Sequence, residues 1–197
     1  MTYGYEVKRF LARVFWRLSR WTLKGDEVPT RPTILIGAPH TSNWDFVLML
    51  AIAWRLGIDV HWLGKKSLFA GWRGPIMRRI GGVPVDRADP GRVVTEVVSQ
   101  VRSGEMFALV VTPDGTRGDN EYWKSGFYRI ARETEMPVTL VYVDRTTMTT
   151  GLGPTFELTG DVAADMDRIR EFYADKAGVR PSRRTEPRLR EEGGTAL

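Results

Sequence analysis

Buried-strand patterns alternate with helix patterns along most of this chain, and that alternation is what limits its fold. Residues 32–38 (PTILIGA) are apolar and β-branched like a buried strand, and 46–54 (FVLMLAIAW) follow as an apolar helical run. A strand over 59–63 and an extended piece over 82–86 come next, with a segment between them (68–80) whose helix is broken at Gly71, Gly74 and Pro75. Residues 91–102 set Val93, Val94, Val97, Val98 and Val101 on one helical side. Residues 106–112 and 137–143 read as strands around a helix over 124–135. A strand over 155–160 and a helix over 165–177 close the pattern. Strands joined through helices cannot pair as hairpins. The expected fold is therefore α/β, a single domain with a largely parallel central sheet flanked by helices.

The ends read differently. In residues 1–24, at about 100° per residue, Phe10, Leu11, Val14, Phe15, Leu18 and Trp21 share one helical face. Arg9, Arg13, Arg17, Arg20 and Lys24 form a basic stripe beside it. Such a helix either lies in a lipid headgroup layer or packs on the core. Trp16, alone on the polar side, favours the interface. Residues 25–179 form the expected domain, entered through a Pro-rich charged connector (24–32). Residues 180–197 are charged, rich in Pro and Gly, and predicted to be disordered.

Composition narrows the chemistry. A net charge of +5 calls for an anionic partner: nucleic acid, an acidic membrane surface or a phosphorylated substrate. No helix-turn-helix, finger or RNA-stacking signature supports nucleic acid. The longest apolar run, Phe46–Trp54, is far short of the about 20 residues that cross a bilayer. No secretory signal is visible, which predicts a cytoplasmic protein, peripheral on the inner face of the cell membrane. With no cysteine there is no thiol nucleophile, and no G-x-S-x-G elbow offers a serine. Two histidines without clustered ligands make no metal site. His61 is expected to be structural, and Trp62, Phe69 and Trp72 to pack or to wall a pocket.

Three strings carry candidate chemistry. In APHTSNWD, His40 lies on a strand-to-helix turn and Asp45 in the first helical turn, so the carboxylate can orient the imidazole as a general base. The same residues also read as a helix cap, Ser42 at the N-cap with Asp45 reaching back. In GGVPVDR, a Gly pair precedes Arg87, whose planar fork of donors suits a phosphate. In TPDGTRG, Pro113-Asp114-Gly115 makes a turn, after which the N–H groups of Gly115, Thr116 and Arg117 form an anion nest. Lys65, Lys66, Arg73, Arg78 and Arg79 lie between and can line an approach for an acidic ligand or solvate a helix.

In this order the strings resemble the glycerophospholipid acyltransferase family, whose members include the lysophosphatidic acid acyltransferases. His40 and Asp45 match its H-x-x-x-x-D motif, Gly81 through Arg87 its Gly-rich segment ending in Arg, and Thr112 through Gly118 its F-P-E-G-T-R-S. Lys124-Ser125-Gly126 matches a downstream Lys-x-Gly, and Pro137 the Pro of a fourth, hydrophobic motif. Asp114 stands where the family has Glu, and a second Pro of the fourth motif is absent.

The resemblance implies transfer of a fatty acyl group from acyl-CoA or acyl carrier protein to a hydroxyl of a lysophospholipid such as lysophosphatidic acid, with no cofactor. It makes His40 and Asp45 the catalytic pair and puts Arg87, Asp114, Gly115, Thr116 and Arg117 on the acceptor. The alternatives are another acceptor, such as a lyso-ornithine lipid or glycolipid, and a non-catalytic protein that binds anionic lipid.

Overall fold

The computed structural model describes residues 2–86, 89–104, 106–115 and 121–194. Seven strands form one sheet: β1 (Thr22–Gly25), β2 (Thr33–Ala38), β3 (Val60–Lys65), β4 (Gly82–Val85), β5 (Ala108–Val111), β6 (Val138–Asp144) and β7 (Thr149–Phe156). Their order is β1-β7-β6-β2-β5-β3-β4. Every neighbouring pair is parallel except β6 and β7, which form an antiparallel hairpin. The sheet is thus mostly parallel, as the alternation predicts.

Helices cover both faces. Ile34, Ile36, Leu109, Val138 and Leu140 pack against α4 (Pro90–Arg102), α5 (Gly126–Thr134) and α6 (Val162–Tyr173). Leu35, Val60, Trp62, Val110 and Val141 face the other way, toward α2 (Trp44–Leu56), α3 (Arg73–Arg79) and α1 (Thr2–Leu18). The alternation of neighbours such as Ile34, Leu35 and Ile36 between two cores explains why the strands read as uninterrupted apolar runs.

Four segments depart from expectation. The first helix ends at Leu18, and residues 22–25 form an edge strand instead of continuing helix and connector. Trp16 is not on the outside: its Nε1 donates to the Ala51 carbonyl at 3.1 Å, and Ala12 beside it is buried. The last strand spans 149–156, earlier and longer than 155–160, because Gly151, Gly153 and Pro154 disguise it as a loop. A Cβ on Gly151 would lie 1.5 Å from the Lys24 carbonyl oxygen, and one on Gly153 would lie 2.2 Å from the Phe172 ring. Both glycines admit close neighbours, and Pro154 sits past the residues that pair with β1.

The fourth departure is residues 180–194, expected to be disordered. They run along α6 with two short 3-10 turns, Pro181–Arg183 and Arg190–Gly193. Leu189, 2 % exposed, joins the core. Arg170 of α6 donates to the Pro187 carbonyl at 3.0 Å and to Glu192 at 2.7 Å, which offsets the segment's scarcity of apolar residues.

Candidate active site

Strand β2 runs to Ala38 and a cis Ala38–Pro39 peptide, and the chain turns through residues 39–43 into α2. His40 and Asp45 meet across this turn, with Nδ1 of the imidazole 3.4 Å from Oδ2 of the carboxylate. That same oxygen accepts the backbone N–H groups of Thr41 at 2.6 Å and Ser42 at 2.7 Å. The Ser42 hydroxyl accepts the Trp44 N–H at 3.3 Å. One carboxylate therefore ties down the start of a helix and faces the imidazole, so the capping and catalytic readings of Asp45 are compatible. With Nδ1 turned to Asp45, Nε2 is the ring nitrogen left for a ligand.

Asp114 approaches the turn from β5. It is 2 % exposed and accepts the backbone N–H of His40 at 2.5 Å. Burial pushes its carboxyl up to about 7, although the His40 N–H pulls the other way. Asp114, expected to hold the acceptor, is not among the residues that line the cavity in front of the turn. The turn after β5 forms as its sequence predicts: Gly115 donates to the Thr112 carbonyl at 3.2 Å with φ +74°. Gly115 does line the cavity. Thr116 and Arg117 lie outside the described residues, as does Arg87.

The Gly-rich segment owes its first glycine to sheet geometry. Gly81 has φ +88°, and a Cβ there would meet the Val60 carbonyl oxygen at 1.9 Å. This close approach lets β4 run beside β3 toward the site. At its far end Lys66 pairs with Asp86 at 3.0 Å.

In front of His40 and Asp45 opens a cavity of about 990 Å³. Much of its lining is apolar, with Phe46, Met49, Ile52, Trp62, Leu68 and Met77 from or beside α2, β3 and α3. Trp62 is held there by an Nε1–H bond to the Ile80 carbonyl at 3.0 Å and by stacking on Phe69 at 5.9 Å. The lining also includes Pro113, Gly115, Lys124, Arg129, Arg190 and Glu191. Trp72 does not pack and stands 75 % exposed, while His61 is half-buried on β3 outside the cavity lining.

Sequence reasoning missed two contributors. Thr41 fixes the turn a second time, because its hydroxyl accepts the Arg180 N–H at 2.9 Å. The cavity-facing residues Arg190 and Glu191 were hidden in the segment expected to be disordered. Leu189 followed three residues later by Glu192, which accepts the Leu189 N–H at 2.6 Å, was the available signal of local structure there.

Residues 20–144 match the acyltransferase family model, described simply as acyltransferase. The chain belongs to the acyltransferase family. Over 116 residues it is 28% identical to the 1-acyl-sn-glycerol-3-phosphate acyltransferase of Bacillus subtilis (strain 168), a match that covers 57% of this chain and 56% of that protein. The aligned part is therefore little more than half the length of that relative. The fold is similar to the crystal structure of the 1-acyl-sn-glycerophosphate (LPA) acyltransferase PlsC from Thermotoga maritima, with a TM-score of 0.57 and 15% identity. That likeness covers 87% of this chain and 76% of the other.

Proposed function

We propose that this protein transfers a fatty acyl group from an acyl thioester, acyl-CoA or acyl carrier protein, to a hydroxyl of a lysophospholipid, with lysophosphatidic acid the first acceptor to test. The observation that carries this reading is the His40–Asp45 pair on the wall of one cavity whose lining holds both many apolar side chains and the cations Lys124, Arg129 and Arg190. The apolar lining suits a hydrocarbon chain, and the cationic side chains a phosphorylated headgroup.

In the proposed reaction His40 Nε2 takes the proton of the acceptor hydroxyl as its oxygen attacks the thioester carbonyl. Asp45 holds the imidazole and stabilises the imidazolium as it forms. The C–S bond then breaks, the ester remains, and the imidazolium returns its proton to the departing thiolate. Direct attack suits a chain without cysteine or a serine elbow. Gly115 offers its turn to the acceptor, and we assign Arg87, Thr116 and Arg117 to the same role from their motif positions.

We also propose that the reaction takes place on an anionic membrane surface, from the cytoplasmic side. No helix among the described residues is long and apolar enough to cross a membrane. Yet α1 docks through Ala12 and Trp16 and leaves Phe10, Leu11, Val14 and Leu18 exposed, with Leu18 79 % open. Trp44 and Val47 at the start of α2 are exposed as well, and Val47 lines the cavity. Apolar side chains left outward next to exposed arginines are what an interfacial helix needs.

The test is thiol release from palmitoyl-CoA and from palmitoyl acyl carrier protein, each with a panel of lyso-lipids. Release that requires a lyso-acceptor supports the reading. Binding of lipid without release across the panel, or release with no acceptor dependence, contradicts it.

A further inference from the structure

The family match ends at residue 144, yet the cavity is completed by residues well beyond it. Arg190 and Glu191 reach the cavity from the segment laid along α6. They are held firmly. The Trp123 N–H donates to the Arg188 carbonyl at 2.7 Å, Leu189 is buried, and Glu192 is gripped by Arg170 at 2.7 Å. Farther back, Arg184 donates to the Tyr173 carbonyl at 2.9 Å. Arg190 itself lies with its Cζ 5.3 Å from the centre of the Tyr122 ring. Among the described residues, neither Arg190 nor Lys124 nor Arg129 forms an ion pair, although all three line the cavity. Among the described lining residues, Asp45 and Glu191 set two carboxylates against these three cations.

We infer that Arg190 is an acceptor-binding residue, and that the segment 180–194 is the part of this chain that carries its guanidinium to the anionic headgroup of the lysophospholipid. The inference rests on the acyltransferase reading and extends it. A backbone anchored on both sides of Arg190, with the guanidinium over an aromatic ring, limits the freedom lost when it engages a phosphate. A hydrogen bond between charged groups contributes about 1.5–3 kcal/mol, roughly 10- to 100-fold in affinity. Specificity for charged acceptors then depends on a segment outside the family's matched region.

The experiment compares lysophosphatidic acid with an uncharged monoacylglycerol in wild type, Arg190→Gln, Arg190→Lys, Leu189→Ala and the control Arg183→Gln, whose exposed side chain does not line this cavity. Arg190→Gln should raise the KM for lysophosphatidic acid about 10-fold or more and cut the kcat/KM ratio of charged to uncharged acceptor by the same factor. Arg190→Lys should recover part of this, and Leu189→Ala should follow Arg190→Gln. Arg183→Gln should leave the ratio where wild type has it. An unchanged ratio in Arg190→Gln, or an equal KM rise for both acceptors, overturns the inference.

Tryptophan fluorescence titrated with dodecyl phosphate and 1-O-dodecylglycerol reads the same site without turnover. If wild type turns over no acceptor, the acyltransferase reading fails. A preference for the phosphate that Arg190→Gln abolishes would still uphold the binding role, and equal affinities in wild type and variant would overturn it.

Discussion

At the residue scale, the site is a turn held by carboxylates. Asp45 binds two backbone N–H groups and faces the imidazole, while Asp114 binds the N–H of His40 itself. Asp114 adds a pH dependence to stability. Its native carboxyl titrates near 7, above its ordinary value of 3.8, because burial disfavours the charged form. Below pH about 4 both folded and unfolded chains hold the proton, and no penalty arises. Between about 4 and 7 the unfolded chain gives it up first, so stability falls as pH rises; above 7 the penalty is complete, at most about 4 kcal/mol. Asp114→Asn keeps an acceptor for the His40 N–H and carries no charge. Its melting temperature should therefore gain on wild type between pH 5 and pH 8; a constant difference would show that the carboxyl does not titrate in that window. The shorter arm at 114 was visible in the sequence, but its direction was not. A turn motif names the residues of the turn without saying which way each side chain points.

At the element scale, strongly periodic segments were legible and glycine-bearing ones were not. The helix α2 falls where the apolar run predicts it, and β2, β5 and β6 coincide with uninterrupted apolar stretches. Strand β7 was blurred because Gly151 and Gly153 serve neighbours distant in sequence, β1 and α6. The segment 180–194 was misread because its order comes from Arg170 of α6 holding Pro187 and Glu192 and from Arg184 and Leu189 docking on the fold, contacts that composition does not reveal. The Gly-rich segment shows the reverse case, a glycine legible as a turn whose cause is the β3 backbone. Gly81→Ala should destabilise the fold by roughly 1–3 kcal/mol through forced positive φ and the Val60 contact. Chemical denaturation checks this, and an unshifted midpoint would mean that the β3–β4 edge yields without cost.

For the whole molecule, the sheet's two cores leave α1 attached by one side and apolar on the other. Since Phe10 and Leu18 are 57 % and 79 % exposed, replacing both with Ser should leave the melting temperature within error. Flotation with anionic vesicles should fall several-fold, and should also weaken as salt rises through about 0.15 M and screens the arginine stripe. Equal binding of the variant and wild type would assign α1 a purely intramolecular role. The most direct test of the account is the turnover of His40→Ala, confirmed as folded by circular dichroism and given palmitoyl-CoA with the acceptor that serves wild type best. Thiol release should drop at least about 10²-fold. Wild-type turnover by the folded variant would contradict a general base at position 40.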